Sequence, residues 1–259
     1  MEWYLYPVII GAGMAAGFIN TLAGSGSLIT LPLLIFLGLP ANVANGTNRV
    51  AILLQNVVGV SSFHRQGVMD WRSGLLLAIP ASLGAILGAQ IAVNLNEEVM
   101  RRTIGALMVL MLVVIIIRPR HWLEGHPEMQ QQRPSWIQWL IFFGIGIYGG
   151  FIQAGVGIFL LAGLVLSVGY DLVRANPVKV LIVLSFVVFA LAVFIFNGQV
   201  VWKIGLILAV GNMLGAWIAA RMAVKRGAVF VRWLLIVVVA VSAAELLGLF
   251  DFVGRAING

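Results

Sequence analysis

Gly17-Phe18-Ile19-Asn20-Thr21-Leu22-Ala23-Gly24-Ser25-Gly26-Ser27 interrupts an apolar run with small and polar residues, and no charge lies nearby. A second stretch, Gly149-Gly150-Phe151-Ile152-Gln153-Ala154-Gly155-Val156-Gly157, does the same in the other half of the chain. Each break is followed by a short apolar segment, 27–39 and 157–169. Thirteen helical residues rise only about 20 Å, less than the ~30 Å hydrocarbon thickness of a bilayer. These two segments therefore read as half-helices or re-entrant arms.

The surrounding chain supports a membrane setting. It has 259 residues, of which 61% are hydrophobic and 10% charged, with a mean hydropathy of +1.06. A soluble domain carries about 25% charged residues, and this composition would leave large apolar patches in water. Ten apolar segments are expected, near 6–22, 27–39, 45–63, 73–94, 103–117, 136–153, 157–169, 177–196, 203–221 and 233–250. In lipid each must be helical, because unpaired backbone groups are costly there. The fold class is thus an all-α polytopic membrane protein. The longest polar stretch, 118–133, is too short for a core of its own. Met1–Tyr4 carry no Lys or Arg, so a cleaved leader is not expected.

The halves repeat. With a shift of 131 residues, Gly26, Gly38, Gly67, Gly74 and Gly84 fall on Gly157, Gly169, Gly198, Gly205 and Gly215. Each 76-residue window holds eight glycines, so chance gives about one such match. Asn45 falls on Asn176, Trp71 on Trp202 and Arg101 on Arg232. With a two-residue gap, Gly17-Phe18-Ile19 aligns with Gly150-Phe151-Ile152. Basic loops face less basic counterparts. Loop 64–72 carries Arg65 and Arg72 against none in 197–202, and loop 222–232 carries Lys225, Arg226 and Arg232 without an acid. Lys and Arg mark the cytoplasmic side, so two inverted repeats of five segments are expected, with both termini outside. The division is 1–118 for repeat one, 119–134 for a cytoplasmic linker and 135–259 for repeat two.

Polar residues inside the apolar runs mark function. Asn20, Gly24, Ser25, Gly26 and Ser27 form the first cluster, and Gln153, Gly155 and Gly157 its counterpart. After each break a helix N-terminus offers unpaired N–H groups and a positive partial charge, which suits an anion. Asn45, Thr47, Asn48 and Arg49 open the third segment, and Asn176 and Lys179 open the eighth. Asn45 and Asn176 read as N-caps, and Pro177 as a first helical residue. Arg49 and Lys179 are cations in otherwise apolar helices with no acid in the same segments. The expectation is that one or both face a cavity and balance an anion. Of the nine acids only Glu245 lies within an apolar run, which disfavours a cation carrier.

Other chemistry finds little support. There are no cysteines, and His121 and His126 have no metal-ligand spacing, so no metal or cofactor is expected. Gly24-Ser25-Gly26-Ser27 resembles a nucleophile loop only superficially. The base it would need has one candidate, His64, and nothing in the spacing favours it. An enzyme is not expected. Gln55 and Gln90 read as cross-helix hydrogen-bonders, and Trp71 and Trp202 as interface anchors.

The two breaks, with Pro32, Leu39-Pro40 and Ala44-Asn45-Gly46-Thr47-Asn48-Arg49 in one half and Asn176-Pro177-Val178-Lys179 in the other, resemble the TauE/SafE sulfite exporter family over nearly the whole chain. That resemblance implies a multi-pass transporter of the bacterial inner membrane that exports sulfite or an organosulfonate by alternating access. A channel, or a carrier of another small anion such as a carboxylate, is the alternative. The partners implied are a small anionic substrate and the lipid bilayer, with a homo-oligomer left open and nucleic acid excluded. Val156 and Val178 stand where the first half has Ser25 and Thr47, so the site is expected to be asymmetric.

Overall fold

The computed structural model describes residues 4–117 and 134–223. Every regular element among them is helical. Helix α1 is Leu5–Ala23, α2 Ser27–Phe36, α3 Ala41–Arg65, α4 Trp71–Val93 and α5 Glu97–Ile117. In the second half α6 is Trp136–Phe151, α7 Val156–Gly163, α8 Leu172–Phe196 and α9 Trp202–Ala223. A π-helical stretch, Leu164–Val168, continues α7. The expected tenth segment, with Glu245, and the 119–134 linker except Pro134 lie outside the described residues. Helices α1, α4, α8 and α9 are long and apolar enough to cross a membrane. Helix α2 rises about 15 Å and is too short to do so.

Glycines set the chain's turning points. Among the described residues, all six glycines with positive φ fall into pairs 131 residues apart: Gly24 and Gly155, Gly38 and Gly169, Gly67 and Gly198. Left-handed backbone strains any residue with a Cβ. The duplication read from the sequence is therefore also a duplication of backbone conformation.

Packing is reciprocal between the halves. Helix α1 lies against α9, and α6 against α4, through glycines that bring backbones into contact. A Cβ on Gly215 would meet the Met14 carbonyl and the Phe18 amide; a Cβ on Gly84 would meet the Phe143 carbonyl and the Ile147 amide. Close approach of this kind drives helix association where lipid removes the hydrophobic effect. These contacts pair Met14 with Phe143 and Phe18 with Ile147, an offset of 129 residues. The alignment of Gly17 with Gly150 is thus one helical turn out of register. The main apolar core runs through both halves, from Leu28 and Leu77 to Phe142 and Phe186.

Two helix starts differ from expectation. Helix α3 begins at Ala41 after Pro40, and α8 begins at Leu172. Asn45 and Asn176 therefore sit inside their helices and are not N-caps. Asp171 takes that role in α8, where its carboxylate accepts hydrogen bonds from Val173 N–H (2.8 Å) and Arg174 N–H (3.0 Å). A charged cap on two amides outcompetes a later amide side chain. At α3 the Glu97 carboxylate accepts from Ala41 N–H at 2.7 Å.

Candidate functional site

The two breaks meet. Gly157 N–H donates to the Gly24 carbonyl at 3.2 Å. A Cβ added to either glycine would fall on the backbone of the other. The N-terminal ends of α2 and α7, the two short helices, thus start from one point. Gly24, Ser25, Gly26, Ser27, Gln153, Gly155 and Gly157 are gathered there and are all buried. Asn20, on the last turn of α1, is half-buried.

The two breaks are built differently. Helix α1 stays helical to Ala23 and ends on Gly24 (φ 76°). Helix α6 leaves the helix at Ile152 (φ −139°, ψ 120°), and Gly155 (φ 73°) caps the start of α7. After the first break the hydroxyls are linked: Asn48 Nδ2 donates to Ser27 Oγ at 3.2 Å, and Thr30 Oγ1 donates to Asn48 Oδ1 at 2.7 Å. At the second, Val156 is apolar and Gly155 lies against Met111.

Arg49 and Lys179 end up on the broken helices. Lys179 Nζ donates to the carbonyls of Asn20 (3.1 Å) and Thr21 (2.6 Å) and to Asn176 Oδ1 (2.9 Å). The Arg49 guanidinium donates to the carbonyls of Gly149 (3.1 Å), Gly150 (2.6 Å) and Phe151 (3.4 Å) and to Gln153 Oε1 (3.1 Å). It also stacks 4.7 Å from the Phe194 ring. Asn20 and Thr21 correspond to Gly149 and Gly150 at the same 129-residue offset as the packing contacts. Each half's cation therefore holds the terminus of the other half's first helix. The cause is general: a helix end leaves up to four carbonyls unpaired and carries a negative partial charge. Buried away from water, that end needs a buried cation.

The remaining expected residues divide between support and open donors. Asn45 Nδ2 donates to the Phe151 carbonyl at 2.8 Å, reinforcing the Arg49 cap. Thr47 Oγ1 accepts from Val201 N–H at 2.9 Å and ties α3 to the start of α9. Among the described residues, Gln153 Nε2 is buried with no partner, as is Thr21 Oγ1. The N–H groups of Ser25, Gly26 and Ser27 donate to nothing among the described residues. Asn20 Nδ2 and Asn212 Nδ2 both donate to Gln55 Oε1 at 3.2 Å, the cross-helix role expected of Gln55. Asn212 is the member that the sequence does not single out. Asn212 has an alanine, Ala81, as its counterpart, so repeat symmetry gave no signal for it. No cluster of metal-ligating side chains occurs among the described residues.

Comparison with known proteins gives one consistent picture. A family model described as Sulfite exporter TauE/SafE matches residues 9–246. The chain is 28% identical to a probable membrane transporter protein of a Sinorhizobium species, over 95% of this chain and 94% of that one. It is 28% identical to the probable membrane transporter protein YfcA of Escherichia coli K12, over 98% and 93%. A probable membrane transporter protein of Haemophilus influenzae is 25% identical over 96% and 98%. No solved structure matches the chain.

Proposed function

The chain belongs to the sulfite exporter TauE/SafE family, and from that premise we propose that it carries small sulfur-containing anions, sulfite or an organosulfonate, out of the cell by alternating access. Membership makes it a membrane transporter. The bacterial inner membrane is the location proposed. The observation that carries the anion reading is the meeting of two helix N-termini at Gly24 and Gly157, with unpaired N–H groups at Ser25–Ser27 and an unpaired buried amide at Gln153. Amides and a positive dipole end bind an oxyanion without a fixed countercharge. The binding set proposed is Asn20, Gly24, Ser25, Gly26, Ser27, Gln153, Gly155 and Gly157. Asn45, Thr47, Asn48 and Asn176 support it. Arg49 and Lys179 hold the two helix ends and add positive potential.

Inversion of the repeats, 1–118 against 135–259, is part of the same reading. Its support is the course of α3 and α8, which correspond in the repeat. Gly46 near the start of α3 lies against Phe194 in the last turn of α8 and Gln199 just beyond it, while Gly59 lies against Val180 in the first half of α8. Loop 197–202 thus begins at the start of α3, and its counterpart 64–72 lies at the other end. Two antiparallel repeats around one site are the arrangement that rocking transporters use.

Sulfite flux into proteoliposomes under an imposed membrane potential tests the proposal. Protein-dependent, potential-dependent flux is expected. Folded protein that moves no sulfite or sulfonate would remove the substrate while leaving the fold untouched. Flux at channel rates in electrical recording would remove alternating access.

A further inference from the structure

A second polar feature lies apart from the breaks, on the outer side of α3 and α9. The two helices run parallel: Gly205 packs on Val50 at one end, and at the other Gln66 Nε2 donates to the Ala220 carbonyl at 3.4 Å and to the Ser62 carbonyl at 2.9 Å. Between them is an open cleft of about 500 Å³. It is lined by Arg65, Arg221, Ser61 and Ser62 together with the apolar Val57, Val58 and Trp217. Among the described residues no acidic side chain lines it. Neither arginine has a carboxylate partner among the described residues, where the ion pairs involve only Arg101, Arg102 and Arg174. The Arg221 guanidinium stacks 3.9 Å from the Trp217 ring, which fixes its plane and leaves its edge open to an oxyanion.

We infer that this cleft binds the headgroup of an anionic phospholipid, with the phosphate on Arg65 and Arg221 and an acyl chain along Val57, Val58 and Trp217. Charge complementarity selects the anion. The exposed apolar lining selects a lipid over a free ion, because a small inorganic anion has nothing to place against two valines and an indole. Basic pockets between membrane helices bind such headgroups. Between the equivalent helices of the other half, α4 and α8, the cleft is lined among the described residues by apolar side chains and by Ser82 and Ser185, with no charge. The site is independent of which anion is transported.

The test is native mass spectrometry of the full-length protein in detergent with added phosphatidylglycerol or phosphatidylcholine. The wild type is expected to retain phosphatidylglycerol at least tenfold better. The double variant Arg65→Gln/Arg221→Gln is expected to lose that preference while Arg102→Gln keeps it. Both arginines are exposed, so folding should survive, and an unchanged melting temperature in detergent confirms that the loss is one of binding. Equal retention of the two lipids by the wild type, or undiminished phosphatidylglycerol on the double variant, overturns the site. Displacement of the lipid by millimolar inorganic phosphate would also overturn it, since the cleft would then be a free-anion vestibule.

Discussion

The first break and the second share a backbone plan and differ in chemistry. Both turn on a left-handed glycine at the same repeat position, Gly24 and Gly155. One ends an intact helix; the other follows an unwound stretch from Ile152. The looser end is met by Arg49, which donates to three of its carbonyls, those of Gly149, Gly150 and Phe151, and to Gln153 Oε1 and Asn45 Oδ1. The tighter end is met by Lys179, which donates to the carbonyls of Asn20 and Thr21 and to Asn176 Oδ1. A guanidinium carries five donors in a rigid fork and an ammonium three on a flexible stem, so each cation suits the end it caps. The lesson is that duplication preserved the geometry while side chains diverged, and the hydroxyls stayed with the first break.

The largest effect is expected where the breaks touch. Gly24→Ala combines a positive φ with a clash against the Gly157 backbone, which cannot yield. Gly38→Ala has a positive φ (90°) but open space around it. The latter should cost about 1–2 kcal/mol, the price of left-handed backbone. The former should prevent recovery of folded protein. Gly157→Ala isolates the contact, because its φ is not positive. Melting temperatures in detergent compare the three. If Gly24→Ala and Gly157→Ala are no worse than Gly38→Ala, the meeting of the breaks is not needed for the fold.

Next come the two caps. Arg49→Ala orphans buried carbonyls at ~1–3 kcal/mol each and should destabilise more than Lys179→Ala. Arg49→Lys should fall between Arg49→Ala and wild type. Flux measured alongside stability separates cap from ligand. A cap loses melting temperature and flux together. If Lys179→Ala abolishes flux with an unchanged melting temperature, Lys179 contacts the anion instead of holding α1.

How much of this was legible is clear from the same residues. The breaks, the short segments and the duplication rest on glycine and hydropathy, which the sequence states directly. The register of α1 against α6 slipped by one turn because small residues recur every four positions in both, Gly13 and Gly17, then Gly146 and Gly150. A four-residue slip matches glycine to glycine and leaves no mismatch to notice. Asn176-Pro177 reads like a helix start because the charged Asp171 and Arg174 before it look like loop residues, yet the helix already runs from Leu172, capped by Asp171. The acceptors of Arg49 and Lys179 are main-chain carbonyls, which have no letter in a sequence. Two buried cations were visible there, but not the helix ends that hold them.

A smaller effect should follow from exchanging chemistry between the breaks. Ser25→Val gives the first break the residue of the second. Ser25 makes no side-chain hydrogen bond to the rest of the described protein, so stability should hardly change. If its hydroxyl contacts the anion, flux should fall on the order of tenfold, about 1.4 kcal/mol for one hydrogen bond to a charged ligand. Val156→Ser should leave flux near wild type. An equal response to both substitutions, measured as initial sulfite flux, would mean that the asymmetry has no functional weight.

The smallest effect concerns a link with no counterpart in the other half. Tyr170 Oη donates to Asp70 Oδ2 at 2.5 Å, joining the start of α4 to the approach of α8; the repeat equivalents are Val201 and Leu39. Partial burial works to raise the Asp70 carboxyl, but hydrogen bonds from Tyr170 and Ser73 outweigh it and hold the group below its usual 3.8. A depressed carboxyl stabilises the fold above its ordinary pKa and loses that contribution as pH falls below 3.8. Burial first, and then the bond to Asp70, push the Tyr170 phenol up to about 12. A raised phenol contributes fully below its ordinary pKa of about 10 and loses that as pH rises toward 12. The link should thus add a constant increment between about pH 4 and pH 10 and fade outside both limits. Tyr170→Phe should lower the melting temperature slightly across that plateau and converge with wild type at either extreme. Parallel curves over the whole pH range would show that the Tyr170 hydroxyl stabilises the fold by packing alone, and that the two halves are no more tightly latched here than at Leu39 and Val201.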